Sequence, residues 1–523
     1  TRFEQASWGS VVRDAAQMTA GLRRAGVRPG TAVAALLTNT PLTVRGMLGV
    51  WLAGGALASL PIPARGMSAQ EYGVQLRTIC EQLGPVALLA DAELVPQLPP
   101  TLADVATVHA WESFAGSGAV APTPPGRDEL AFVQYSSGST RTPKGCMLTT
   151  RAIEAQIDLL EDLMRPVRGQ ELGLSWLPLS HDMGMFGGLL SCWAHGSPFV
   201  LSTPQRFMLA PSTWLTDAAR FGATITGGPD TALRLAARAV RAHRLPDRLR
   251  LRVCIVGAER VHAETLAFAV ERLAPYGFDA TALMPAYGLA EAVVAVTGTP
   301  HDEAPRVLSV DALALAEGRI EELPQDAPAA SRIVGAGPPG LGAELVGLER
   351  DRVGEIRVRT RSLATGYFGE PELTRERFRD GELLTGDLGF VRDGHLYPVG
   401  RLDDVISVAG RSVYTREIEA AVDRLEAVRP GCAAVVEHPR DGRLVLVLEL
   451  RRADADHRAL ADDCAQIALA KAGVALDACV FLRKGSLPKT PSGKIQRHRA
   501  RQLLGLDGLE PVASVDFGTV AGG

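Results

Sequence analysis

At 523 residues the chain is far longer than one core requires, so two to four domains or subdomains are expected. Hydrophobic residues make up 46% of it and charged residues 22%, the balance of a soluble globular protein with mixed α/β structure. The formal net charge of −4, with both signs interspersed and no Lys/Arg block, excludes binding of nucleic acid along a broad surface, while a small anion at one site stays open.

Residues 8–27 place Val11, Val12, Ala15, Ala16, Met18, Leu22 and Ala25 at helical spacing and end at Gly26, which predicts one amphipathic helix. Thr31–Leu37 reads as a strand, Pro41–Leu52 as a helix and Ala56–Ile62 as a second buried strand. Strand, helix, strand in succession suggests a parallel layer, and the alternation returns around 86–89, 130–134, 198–201, 223–226 and 252–256. After about residue 350 the pattern changes. Gly354–Arg359 alternates with period two, as a half-exposed antiparallel strand does, and Gly381–Val399 continues as strand and turn. From Leu402 a compact unit follows, with a helix at Arg416–Leu425, strands at Cys432–Glu437 and Leu444–Leu450, a helix at His457–Lys471 and a basic loop. The stretch Gly505–Gly523 is expected to be peripheral.

The most apolar segment, Met47–Ile62, contains Gly, Ser and Pro and falls short of the roughly 20 residues a bilayer span takes, so no stable membrane insertion is expected. With no secretory pattern at the start, a cytoplasmic setting is expected. The seven cysteines (Cys80, Cys146, Cys192, Cys254, Cys432, Cys464 and Cys479) show no zinc-type spacing and read as scattered reduced thiols.

The strongest local signal is Tyr135-Ser136-Ser137-Gly138-Ser139-Thr140-Arg141-Thr142-Pro143-Lys144-Gly145, which follows an apolar strand. Hydroxyls, backbone N–H groups and a cation gathered in one loop suit a polyphosphate. It is not the Walker-type loop, in which Lys follows the second Gly and enters a helix; here Lys144 precedes Gly145. Composition alone leaves an ordinary surface turn equally open.

This loop resembles the phosphate-binding signature of the acyl-adenylate-forming superfamily, which includes acyl-CoA synthetases, luciferases and the adenylation domains of peptide synthetases. Four further segments resemble the superfamily's other signatures, in the expected order: Met284–Glu291 the adenine and magnesium motif, Thr385–Gly389 the ribose motif, Gly400–Ile406 the hinge and Pro488–Ile495 the terminal lysine motif. Trp176–Gly184, Gly227-Gly228-Pro229, Arg141 and the segment 310–320 are most similar to the fatty acyl-AMP ligase branch, as are Arg411 and Tyr414. Three departures stand out: Thr150 where His is expected, Asp230 where Asn is common, and a short Gly340–Asp351.

The resemblance implies an α/β fold with a large multi-layer N-terminal body, 1–402, and a small mobile α+β C-terminal domain, 403–523, turning about Asp403. It implies ATP and Mg2+ as cofactors. Ser136, Ser137, Gly138, Ser139, Thr140 and Lys144 would hold the phosphates, and Glu291 the metal. Gly257, Ala258, Glu259, Tyr287 and Gly288 would line the adenine site, and Asp387 with Arg401 would hold the ribose. His181, Met185, Phe186 and Gly228 would border the acid. Lys494 would stabilise the charge that develops at the α-phosphate, with His181 and Glu291 as the other catalytic residues. The expected activity is formation of an acyl-adenylate and pyrophosphate from a largely apolar acid, then transfer to the phosphopantetheine thiol of an acyl carrier protein. Transfer to CoA is the alternative, and a non-catalytic nucleotide sensor or scaffold a more distant one.

Overall fold

The computed structural model describes residues 3–63, 67–135, 143–240, 245–325, 327, 330–402, 405–408, 411–452, 455–489, 495–506 and 508–517. The chain folds as a large α/β body followed by a smaller C-terminal domain.

Two six-stranded sheets form the centre of the body. The first contains β1 (Ala32–Ala35), β2 (Ala56–Ser59), β3 (Ala87–Ala90), β4 (Val108–Ala110), β5 (Leu130–Tyr135) and β6 (Gly145–Thr149), in the order β4-β3-β1-β2-β5-β6. Its strands are parallel except for the β5–β6 pair. The second contains β7 (Gly173–Ser175), β8 (Phe199–Leu201), β9 (Ile225–Gly228), β10 (Val253–Val256), β11 (Leu283–Tyr287) and β12 (Thr297–Gly298), in the order β12-β11-β10-β9-β7-β8. Only β12 is antiparallel to its neighbour. Strands buried on both faces read as short apolar runs, which is why the sequence locates them within a few residues. The helix Pro41–Leu52 is bounded as its sequence suggests: Thr40 caps it, its side chain accepting from Thr43 N, and Pro41 supplies a fixed φ at the first position.

The expected single helix over 8–27 is two helices, Trp8–Ala16 and Thr19–Arg24. The chain at Ser117–Gly118 inserts at the break: Gly118 N donates to Gln17 O at 2.9 Å and Ala20 N to Gly118 O at 3.0 Å. A tertiary partner here replaces the helix's own ladder.

Further along lie the hairpin β13 (Val307–Asp311) and β14 (Ala330–Val334) and an antiparallel sheet of β15 (Ala343–Val346), β16 (Gly354–Thr360), β17 (Phe378–Arg379), β18 (Glu382–Arg392) and β19 (His395–Arg401). The C-terminal domain opens with the pair β20 (Val405–Val408) and β21 (Arg411–Tyr414). Its main sheet runs β22 (Val428–Glu437), β23 (Leu444–Leu450), β24 (Ala478–Leu482) and β25 (Pro511–Asp516), with helices Thr415–Val422 and His457–Ala472 covering an apolar face. Strand β25 corrects the expectation of a peripheral tail: it pairs antiparallel with β24, and Leu509 just before it is buried.

The two domains meet through ion pairs. Arg260 of the body reaches Glu417 of the C-terminal domain at 2.5 Å, with side-chain exposures of only 15% and 7%. Ser331 donates its hydroxyl to the same carboxylate. Burial pushes the Glu417 carboxyl up, but Arg260, Ser331 and Lys471 outweigh it and hold the group below its usual range. More exposed pairs join Arg424 to Glu264 at 2.9 Å and Arg499 to Glu71 at 2.8 Å. Among the described residues all seven cysteines are buried and unbridged, and no helix is long and apolar enough to cross a membrane.

Candidate active site

Strands β5, β9, β10 and β11 end toward the segments that carry the sequence signatures, the arrangement by which open parallel sheets present ligand sites at their carboxyl ends. After β11 the chain reverses through 288–296 into β12. A Cβ on Gly288 would stand 1.7 Å from the Val294 carbonyl oxygen, so no side chain fits there. Gln156, fully buried on the helix Thr150–Met164, donates its amide to the Ala292 and Ala295 carbonyls at 2.6 and 3.1 Å and pins the reversal.

Glu291 lies in that turn. Its main-chain carbonyl accepts from Ala364 N at 2.8 Å, and its carboxylate accepts the Tyr367 hydroxyl at 2.7 Å. Tyr367 is fixed beside β6, where Met147 N donates to Gly366 O at 2.9 Å and Phe368 N to Gly145 O at 2.7 Å. Lys144 Nζ lies over the Tyr367 ring, 5.5 Å from its centroid. Burial, reinforced by Glu291, pushes the Tyr367 hydroxyl far above its usual pKa and keeps it a donor. One tyrosine therefore joins the Lys144 cation to the Glu291 carboxylate.

A second cluster forms around Asp387. The Tyr287 hydroxyl donates to its Oδ2 at 2.8 Å, and Arg401 Nε stands 2.9 Å from Oδ1. Asp387 and Arg401 are register partners on β18 and β19, so the sheet itself sets their spacing. Thr385 Oγ1 accepts from Asp387 N at 3.0 Å and donates to Ile356 O at 2.6 Å, which fixes the turn. Nearby, Gly257 follows β10, and a Cβ on it would come within 2.9 Å of the Ala286 carbonyl oxygen. Ala258 takes φ +64°, a left-handed conformation that costs a non-Gly residue about 1–3 kcal/mol. Glu259 accepts from Thr231 N at 2.7 Å.

His181 stands where the two sheets approach. Asn39 braces its loop, donating to Leu177 O at 2.9 Å and Ser202 O at 2.7 Å and accepting from Leu179 N at 3.0 Å. Gln134 Nε2 donates to Ser180 O at 2.9 Å. His181 Nδ1 lies 2.6 Å from Asp182 Oδ1, which holds the ring orientation. A π-helical segment, Met183–Leu190, follows; such segments recur at functional sites. Met185 and Phe186 are fully buried in the core beneath the first sheet, Phe186 edge-on to Phe132 at 5.3 Å. Met183 instead faces the second sheet, its Cε 3.0 Å from where a Cβ on Gly227 would stand. Gly228 is closed by the Trp214 ring, 2.7 Å from the same construction, and Trp214 Nε1 donates to Thr226 Oγ1 at 2.7 Å. Trp176 stacks on Phe207 at 3.7 Å and meets Trp214 edge-on at 5.7 Å.

The departure at Asp230 has a structural account. Its buried carboxylate accepts from His262 N and Thr265 Oγ1, both at 3.0 Å, and ties the chain just after β9 to the start of the helix Ala263–Leu273. Thr150 simply begins the helix that Thr149 caps. Ser136, Ser137, Gly138, Ser139, Thr140, Arg141, Asp403 and Lys494 lie outside the described residues, as do the side chains of Arg411 and Tyr414. The flanks of 490–494 are firmly held: Gln496 N donates to Pro488 O at 3.0 Å, Leu487 N to the buried Glu449 at 2.9 Å, and Arg497 pairs with Glu419. Tyr367, Gln156 and Asn39 were not singled out by the sequence, because their roles arise only from long-range packing.

Residues 1–368 match the family model described as AMP-binding enzyme. The chain belongs to that family. Residues 403–503 match the AMP domain of Disco-interacting protein 2-like proteins. The chain is 34% identical over 400 residues to the medium-chain-fatty-acid–[acyl-carrier-protein] ligase JamA of Moorena producens, covering 72% of this chain and 67% of that one. It superposes with TM-score 0.89 and 26% identity on a structure from studies of fatty acyl-adenylate ligases of E. coli and L. pneumophila, covering 97% of this chain and 94% of that one. With the L. pneumophila fatty acyl-adenylate ligase in complex with acyl adenylate and pyrophosphate, the TM-score is 0.73 at 27% identity, covering 98% of this chain and 93% of that one. This adenylating enzyme lies in the fatty acyl-AMP ligase and acyl-CoA synthetase branch of the acyl-adenylate-forming superfamily. It activates a carboxylic acid with ATP and releases pyrophosphate, which sets aside a purely sensing or scaffolding role.

Proposed function

We propose that the acid is largely apolar and that its acyl group passes from the adenylate to the phosphopantetheine thiol of an acyl carrier protein. The observation that carries the first part is the apolar wall beside His181: Met183 packs on Gly227 and Trp214 on Gly228, and Trp176 and Phe207 stack beside Trp214. The second part rests on the branch-specific motifs and on the similarity to JamA, a ligase of medium-chain fatty acids and acyl carrier protein.

In this account Asp387 and Arg401 hold the ribose, Tyr287 stacks on adenine, and the backbone at 257–259 meets its edge. Lys144 and the loop 136–140 hold the phosphates. The residues present fit Mg2+: Glu291 offers a single carboxylate, held by the Tyr367 hydroxyl, and Mg2+ commonly binds one carboxylate together with substrate phosphates. Glu291 would hold the ion, which would supply positive charge against the phosphates there. His181 orients the acid, whose carboxylate is already ionised, so no general base is required. Lys494 supplies a cation at the α-phosphate, where charge grows in the transition state. The C-terminal domain, 403–523, then turns about Asp403 for thiol transfer.

CoA as acceptor is the second reading, favoured by the short segment 340–351, since a reduced insertion leaves the small domain freer to turn. The test supplies acid, ATP and Mg2+ with CoA or with phosphopantetheinylated carrier proteins. Carrier loading is expected. Efficient acyl-CoA formation without carrier loading reverses the assignment.

A further inference from the structure

The two clusters of the nucleotide site leave a cation between them. Arg377 ends the helix Pro371–Arg377, just before β17. Its Nη1 lies 3.2 Å from where a Cβ on Gly386 would stand, one residue from Asp387. Gly386 has φ +72°, a conformation that favours glycine, and its missing side chain leaves room for the guanidinium. On the other side, the charge of Arg377 bears on Tyr367, the tyrosine bonded to Glu291, opposing the upward push of burial on that hydroxyl. Phe378, the next residue, packs edge-on against the Tyr367 ring at 5.5 Å.

The pairing of this cation is poor. Its side chain is only 25% exposed, yet its ion pair is a long one, 3.8 Å to Glu376, whose side chain is 60% exposed. Its Nε is buried without a hydrogen bond among the described residues. A guanidinium with a buried, unbonded Nε is costly unless an anion completes it. A planar fork of donors suits phosphate oxygens.

Resting on the nucleotide site proposed above, we propose that Arg377 contacts the α-phosphate of ATP and of the acyl-adenylate. The position decides which phosphate: Asp387 marks the ribose end, Glu291 and Lys144 mark the β,γ end, and Arg377 stands between them. Arg377 then binds the one phosphate that remains on the enzyme after pyrophosphate leaves, holding the adenylate for the thiol step.

The experiment titrates the full chain with AMP and with adenosine, comparing wild type, Arg377→Ala, Arg377→Lys and Arg379→Ala. Arg379 is an exposed neighbour and serves as the control. Loss of one charge-assisted contact predicts AMP affinity about 10- to 100-fold weaker in Arg377→Ala. Adenosine affinity should be unchanged, Arg377→Lys should recover part of the loss, and Arg379→Ala should match wild type. Equal weakening of AMP and adenosine shows a merely structural role and overturns the proposal. So does unchanged AMP binding in Arg377→Ala. A wild-type protein that binds neither AMP nor ATP refutes the underlying nucleotide site instead.

Discussion

The contact between Arg260 and Glu417 is the strongest described tie between the domains, and its removal has a calculable consequence. Both side chains are largely buried, whereas Arg424 and Glu264 are 60% and 36% exposed. Exposed pairs of the latter kind contribute about 0–1 kcal/mol. Removing one partner of a buried pair costs about 3–5 kcal/mol, because the other charge is left uncompensated. Arg260→Met should therefore shift the docked population of the C-terminal domain by about two to three and a half orders of magnitude at most, the factor that 3–5 kcal/mol represents. Undocking limits the loss, since it returns Glu417 to water. Arg260→Met combined with Glu417→Leu should dock better than either single variant, because an apolar pair leaves no orphan charge. Because every native cysteine is buried, one introduced surface cysteine per domain can carry a fluorophore pair that reports the interdomain distance. The pH dependence has a definite sign. Glu417 is held below its ordinary carboxylate value, so its contribution is present above that value and is lost as pH falls through the depressed one. Docking in wild type should thus weaken only below about pH 4, the ordinary carboxylate range. Two single variants whose effects add, or a distance that neither changes, would refute the argument.

Other outcomes follow from the same geometry. Gly288→Ala should abolish adenylation and lower thermal stability, since its Cβ cannot coexist with the Val294 carbonyl. Tyr367→Phe should cost only about 0.5–1.5 kcal/mol of stability yet reduce pyrophosphate exchange, because it frees Glu291 and loosens its link to the Lys144 loop. Lys494→Ala should slow adenylation by about 10²–10³ while ATP still binds in titration calorimetry. An acid panel should show soft discrimination between neighbouring chain lengths, since one methylene is worth about 1–3 kcal/mol, and should reject acetate.

Much of this architecture is legible in the chain. Helix Pro41–Leu52 carries its own cap and proline, and the parallel strands are apolar runs between turn residues, so local chemistry suffices. The break at Gln17–Met18 is not legible, because it is imposed by a segment about a hundred residues away, at 117–118. Strand β25 begins at Pro511 and lies on a sheet edge, where burial is partial and the period-two signal is weak. At the site, Glu291, Tyr287, Asp387 and Arg401 stand in recognisable motifs, and the structure brings the last three into contact. Tyr367 and Arg377 sit in an ordinary loop and helix end. Their relation to the site exists only once 366–368 pairs with β6 and Gly386 packs on the guanidinium. Arg260 and Glu417 lie on different domains, and no local pattern links them.

The most direct test of the central claim is mass-spectrometric analysis of the nucleotide products formed from ATP, Mg2+ and a medium-chain fatty acid before any thiol is added. The account predicts an acyl-adenylate with equimolar pyrophosphate, and their loss in Asp387→Ala. Formation of ADP with an acyl phosphate, or ATP turnover independent of the acid, would contradict it.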